Sequence, residues 1–153
     1  MSTYHAETRW DLKAGEDFLA GRYSRVHELR FDGGAVVTAA ASPHVVPAAW
    51  TSEAAVDPEE MFVAALSNCH MLWFLDLARR AKVEVRSYVD KAEGVMEKAA
   101  DGKVSITRVT LRPLVASDAD AATLEYLHHR AHEACFIANS VRTEVLVEMR
   151  FTE

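Results

Sequence analysis

Residues 57–82, DPEEMFVAALSNCHMLWFLDLARRAK, constrain the fold more than any other stretch. Asp57 suits a helix N-cap, Pro58 suits the first helical position, and Glu60 can return a hydrogen bond to the cap, the reciprocal pattern of a capping box. Arg79, Arg80 and Lys82 favour the negative end of the helix dipole. The pattern predicts a helix from Pro58 to about Lys82. Its apolar residues occupy nearly every direction around the axis, which predicts cover on most sides, as in a core helix of the domain or of a dimer. The run Met61–Ala78 is long enough for a membrane span, but Ser67, Asn68, His70 and Asp76 interrupt it and no second run follows. A buried helix of a soluble protein is the expectation.

The rest of the chain reads mainly as strands. Tyr4–Trp10 is a strand candidate, and KAGED after it is a turn. His27–Phe31 and Ala35–Ala41 flank Asp32-Gly33-Gly34, whose glycines permit a tight hairpin. SPHVVPAAWTSEAA, with two prolines, is a crossing loop. Val85–Lys98 and Lys103–Val115 form a strand pair joined by AADG, and a bulge between Ile106 and Val109 restores the face of the second strand. A helix follows over about Asp120–Ala134. The last strand, NSVRTEVLVEMRF, turns Val141, Thr143, Val145, Val147, Met149 and Phe151 one way. The order is β-β-β-α-β-β-α-β. No glycine-rich turn joins a strand to a helix, which excludes a dinucleotide or phosphate loop.

Composition narrows the function classes. The 153 residues fit one domain or one subunit of a small oligomer, and half of them are hydrophobic, which excludes a disordered tail protein. With 17 basic and 23 acidic residues the net charge is −6, and no basic patch interleaves with aromatics, so nucleic acid is not the expected partner. The first residues carry charges and no apolar core of a signal peptide, so a cytoplasmic, reducing location is expected and no membrane partner. Two cysteines in such a compartment are catalytic, metal-binding or inert rather than a permanent bridge.

Both cysteines stand near histidines: Cys69 beside His70 in the long helix, and Cys135 at the end of LHHRAHEAC. His128, His132 and Cys135, at i, i+4 and i+7, share a helix face and could supply three zinc ligands. Alternatively Cys69 and Cys135 meet across packed helices and shuttle between dithiol and disulfide. A reactive thiolate there needs a guanidinium and a carboxylate to hold it, with Arg22 or Arg25 and Glu59 or Glu60 as candidates. Glu59 and Cys69 are about 15 Å apart on one straight helix, so sharing a site requires a broken helix or a partner subunit.

DPEEMFVAALSNCHMLWFLDLA resembles the central helix of the OsmC/Ohr family, the osmotically induced and organic hydroperoxide resistance proteins. AHEACFIANSVRTEVLVEM is similar to that family's second-cysteine segment and last strand. The resemblance extends over the whole chain as a single OsmC-like domain, 1–153, of a divergent subgroup with extra histidines. It implies an α+β fold with curved antiparallel sheets around central helices, in an intertwined homodimer. It also implies a thiol peroxidase acting on organic hydroperoxides without a cofactor or metal. Carried over by position, Cys69 is the peroxidatic thiol, Cys135 the resolving thiol, and Glu59 the carboxylate that holds the activating arginine, Arg25 ahead of Arg22. The implied reductant is a dithiol such as a lipoylated protein. The other reading of the same family pattern is a non-catalytic dimer that senses redox state or binds metal.

Overall fold

The computed structural model describes residues 1–98 and 100–150. They fall into two compact units, Met1–Met61 and Phe62–Glu153.

In the first unit β1 (Ala6–Arg9), β2 (His27–Phe31) and β3 (Val36–Ala39) form an antiparallel sheet in chain order. The predicted hairpin closes at Gly34, whose φ of 87° only glycine adopts without cost, and the Gly34 N–H donates to the Phe31 carbonyl at 2.9 Å. Between β1 and β2 the chain folds on itself through a bridge from Asp17 to Arg22. There Trp10 lies edge-on to Tyr23 with ring centroids 5.4 Å apart, and Phe18 lies 4.7 Å from Tyr23. The crossing loop contains one short helical turn, Ala48–Trp50.

Helix α1 (Pro58–Arg80) begins as the sequence predicts. The Asp57 carboxylate accepts the Glu60 N–H at 2.7 Å, and the Glu60 carboxylate accepts the Asp57 N–H at 3.1 Å. Its other end is a Schellman motif: Val83 N–H donates to Ala78 C=O at 2.9 Å and Lys82 N–H to Arg79 C=O at 3.1 Å. Lys82, at φ 61°, holds the left-handed position that glycine fills at most such ends.

The second unit contains β4 (Val85–Asp90), β5 (Glu93–Lys98), β6 (Val104–Leu111), β7 (Pro113–Ser117), α2 (Ala121–Ala134) and β8 (Glu144–Val147). β4 pairs with β7, and β6 lies between β5 and β8. Asp120 caps α2 by accepting the Thr123 N–H at 2.8 Å. Phe74 and Ala78 of α1 pack on Leu124, Leu127 and Ala131 of α2, while Leu66 packs on Val109 and Leu111 of β6. Gly94 allows β5 to approach α1: a Cβ there would lie 2.6 Å from a Val63 methyl.

The expected bulge is present. Val95 pairs with Arg108 and Met96 with Ile106, leaving Thr107 as the extra residue of β6. The two long strands predicted for this region are instead four. The Arg112 N–H donates at 2.6 Å to the carboxylate of Asp90, which also accepts the Ser67 hydroxyl. A side chain has captured a backbone donor that a continuing ladder would have used, and the chain passes from one sheet to the other there.

Three other expectations need correction. Curved antiparallel sheets around central helices are not found in this single chain, and no intertwined dimer is part of it: the described residues form three short, open sheets. β8 runs parallel to β6, because β7 and α2 intervene and return the chain to the same end of the sheet. The last strand is also shorter, since Ala138–Ser140 form a helical turn and only Glu144–Val147 a regular strand. Val145 and Val147 do face inward as predicted, while Phe151 and Ala99 of the AADG turn lie outside the described residues. Finally, α1 is long and apolar enough to cross a membrane by length and composition, yet within this chain it is not covered on most sides. Only Leu66, His70, Phe74 and Ala78, one stripe at four-residue spacing, are buried.

Candidate functional site

Cys69 stands in the middle of α1, partly exposed, and lines a cavity of about 440 Å³. The walls are mainly apolar, with Leu72, Trp73, Phe136 and Ile137, and one carboxylate, Asp76, stands at the edge. Trp73 and Phe136 meet edge to face at 5.2 Å. Asp76 is occupied by Arg79 and Arg80 at 2.8 and 2.7 Å.

Cys135 follows the last turn of α2, where the backbone leaves helical geometry, and is buried. Burial pushes its thiol up to about 11. The Ala138 N–H, donating to the sulfur at 3.4 Å, pulls in the opposite direction, and the Cys69 thiol is close enough to add to the rise. Both cysteines are free thiols. The second unit therefore holds both predicted thiols, with the segment after Cys135 forming part of the wall around Cys69.

Arg25 and Glu59 lie in the first unit. Arg25 donates to the carbonyls of Gly21 and Tyr23 at 2.9 and 2.6 Å, and its guanidinium lies 3.8 Å over the Tyr23 ring. Among the described residues it has no carboxylate partner, whereas Arg22 is paired with Asp17 at 2.9 Å. Arg25 lines a further cavity with Trp10, Phe18 and Tyr23. One oxygen of Glu59, Oε2, is buried without a hydrogen-bond partner. The expected Arg25–Glu59 pair is thus not formed here. Helix α1 is unbroken over 23 residues, so the rise between Glu59 and Cys69 is about 15 Å.

The histidines assemble in a way the spacing did not predict. His70 belongs to the buried stripe of α1, and its Nε2 lies 3.0 Å from His128 Nδ1 of α2. The rings are parallel within 5°. Burial pushes His70 down to about 3, with His128 and His132 adding to the effect, and burial pushes His128 down to about 4. Both are therefore neutral imidazoles near pH 7. The four-residue rhythm Leu66-His70-Phe74-Ala78 carried the signal that His70 faces inward, but its partner is 58 residues away. His128, His132 and Cys135 do not converge on one point, and among the described residues no three His, Cys, Asp or Glu side chains are gathered to hold a metal ion.

Comparison with known proteins places the chain. Residues 51–150 match the family described as OsmC-like protein. Among curated protein sequences no significant match is found. An OsmC-like protein of unknown function from Vibrio cholerae has 50% sequence identity, and its structure superimposes with a TM-score of 0.94 over 98% of this chain and 100% of that one. The organic hydroperoxide resistance protein OhrB of Bacillus subtilis is 21% identical, with a TM-score of 0.70 over 99% of this chain and 98% of that one. An organic hydroperoxide resistance protein from Elizabethkingia anophelis is 16% identical, with a TM-score of 0.73 over 100% and 97%. The last two share the fold. The chain belongs to the OsmC/Ohr-like family.

Proposed function

We propose that the protein is a thiol peroxidase that reduces organic hydroperoxides through Cys69 and Cys135. The observation that carries this reading is the placement of the two free thiols, with the Cys69 thiol close enough to raise that of Cys135 and Cys69 itself at the wall of an apolar cavity. The Cys69 thiolate attacks the terminal peroxide oxygen, the O–O bond breaks, and the alkoxide leaves as an alcohol after taking a proton. Cys69 is then a sulfenic acid. The Cys135 thiol displaces its hydroxyl as water and forms the disulfide, and an external dithiol, such as a lipoylated protein, restores both thiols while becoming a disulfide itself. Leu72, Trp73, Phe136 and Ile137 suit an organic substituent on the peroxide.

Arg25 is the activating cation in this reading and Glu59 its anchor. A guanidinium favours the thiolate and stabilises charge on the departing oxygen. Among the described residues Arg25 forms no ion pair with a carboxylate, unlike Arg22, and Glu59 Oε2 is buried without a partner, so forming their pair needs a shift of both side chains. A homodimer serves this reading, because α1 is apolar well beyond its buried stripe and a second copy can bring an arginine to a cysteine that its own helix holds about 15 Å from Glu59. Two free thiols also suit a reducing compartment, the cytoplasm.

Trapping tests the chemistry. Protein treated with one equivalent of cumene hydroperoxide and dimedone acquires the adduct on Cys69 in the Cys135→Ser variant. In the wild type it forms the Cys69–Cys135 disulfide instead. Labelling confined to Cys135 would contradict the assignment of roles.

A further inference from the structure

The peroxidase reading leaves a second cavity unused. It measures about 430 Å³ and is bounded on one side by Glu125, His128, His129 and His132 of α2, and on the other by Val145 and Val147 of β8. Glu125, His128 and His132 stand at i, i+3 and i+7, which places them on one face of the helix. His128 is 3% exposed, and its Nε2 is buried without any hydrogen-bond partner. His132 Nδ1, one turn later, is in the same condition. Orphaned buried nitrogens cost stability, and two of them bordering one cavity call for a ligand.

We propose that this cavity binds a divalent first-row transition-metal ion of the zinc class, held by the imidazoles of His128 and His132. The His70 contact is compatible with this chemistry. In the tautomer in which His128 Nδ1–H donates to His70 Nε2 across their 3.0 Å contact, the Nε2 lone pair of His128 is left for an ion, as a metal-bound imidazole needs. Stacking of His128 on Phe74, with centroids 4.1 Å apart, fixes the ring that presents it. Two imidazoles favour zinc, nickel or copper over calcium or magnesium, which need several oxygen donors. Among the described residues no third donor is gathered with them, so water completes the coordination, and the exposed Glu125 and His129 side chains at the same cavity can swing in. The site is independent of the two cysteines.

The test uses tag-free full-length protein freed of metal by a chelator and then dialysed. Zn2+ is titrated by calorimetry and Co2+ by its visible absorption, with His132→Ala and His44→Ala alongside. His44 is exposed and is not part of this cavity, so it reports ordinary surface binding. The expected result is one ion per chain and ligand-field bands for Co2+ that report nitrogen donors. Affinity falls on the order of tenfold or more in His132→Ala, because losing a ligand costs at least as much as losing a partner that orients one. It stays unchanged in His44→Ala. Absence of stoichiometric uptake would overturn the proposal, and so would equal affinity in wild type and His132→Ala. Because His132→Ala keeps the buried His70–His128 pair, it tests the site without depending on a core variant that fails to fold.

Discussion

His70 Nε2 and His128 Nδ1 lie 3.0 Å apart at the packed face of α1 and α2, with the two rings parallel and both side chains almost fully buried. Among the described residues it is a polar link across a helix contact otherwise made by Phe74, Ala78, Leu124, Leu127 and Ala131. Replacing His70 by alanine leaves a void and an unpaired His128 nitrogen. The expected loss is about 3 kcal/mol, read from the urea midpoint at constant slope. A loss below about 1 kcal/mol would mean that the pair does not hold the helices.

Lys82 supplies a second, opposite prediction. It occupies a left-handed position at φ 61° where its Cβ is crowded, while the Schellman hydrogen bonds of Lys82 and Val83 need only the backbone. Lys82→Gly should therefore raise stability by about 1 kcal/mol despite the greater freedom of glycine in the unfolded chain. A lower thermal midpoint for Lys82→Gly would show that the lysine side chain contributes more than its strain costs.

Cys135 gives a pH dependence with a definite sign. Its thiol is raised from 9.0 to about 11, first by burial, so the folded chain keeps a proton that the unfolded chain has released. That contribution to stability is fully present below pH 9 and is lost as pH rises through the folded value. In Cys69→Ser, where Cys135 is the only thiol, thiolate absorbance at 240 nm should rise with a midpoint above 9. Burial remains as the largest cause there. A midpoint at or below 9 would contradict the buried placement.

Local chemistry made much of the fold legible. The capping box of Asp57 and Glu60 and the bulge at Thr107 are each set by neighbours within a few residues, and each occurs where the sequence places it. Long-range choices were not legible. An alternating strand such as Glu144–Val147 shows which face is apolar but not which strand it joins or in which direction, so its parallel pairing with β6 could not be read. The break at Arg112 depends on Asp90, 22 residues away, and the partner of His70 lies still further off. For the site, the cysteines announced themselves by their rarity. The guanidinium did not, since Arg22 and Arg25 differ only in what the folded chain gives them: Asp17 for one, and two carbonyls with the Tyr23 ring for the other.

The most direct test of the proposed activity is steady-state consumption of tert-butyl hydroperoxide by the reduced, metal-free protein with dihydrolipoamide as donor. Cys69→Ser and hydrogen peroxide are run in parallel. The account predicts sustained turnover with the organic peroxide, a smaller rate with hydrogen peroxide, and turnover abolished in Cys69→Ser. A folded wild-type protein that turns over neither peroxide, or a Cys69→Ser variant as active as wild type, would contradict it.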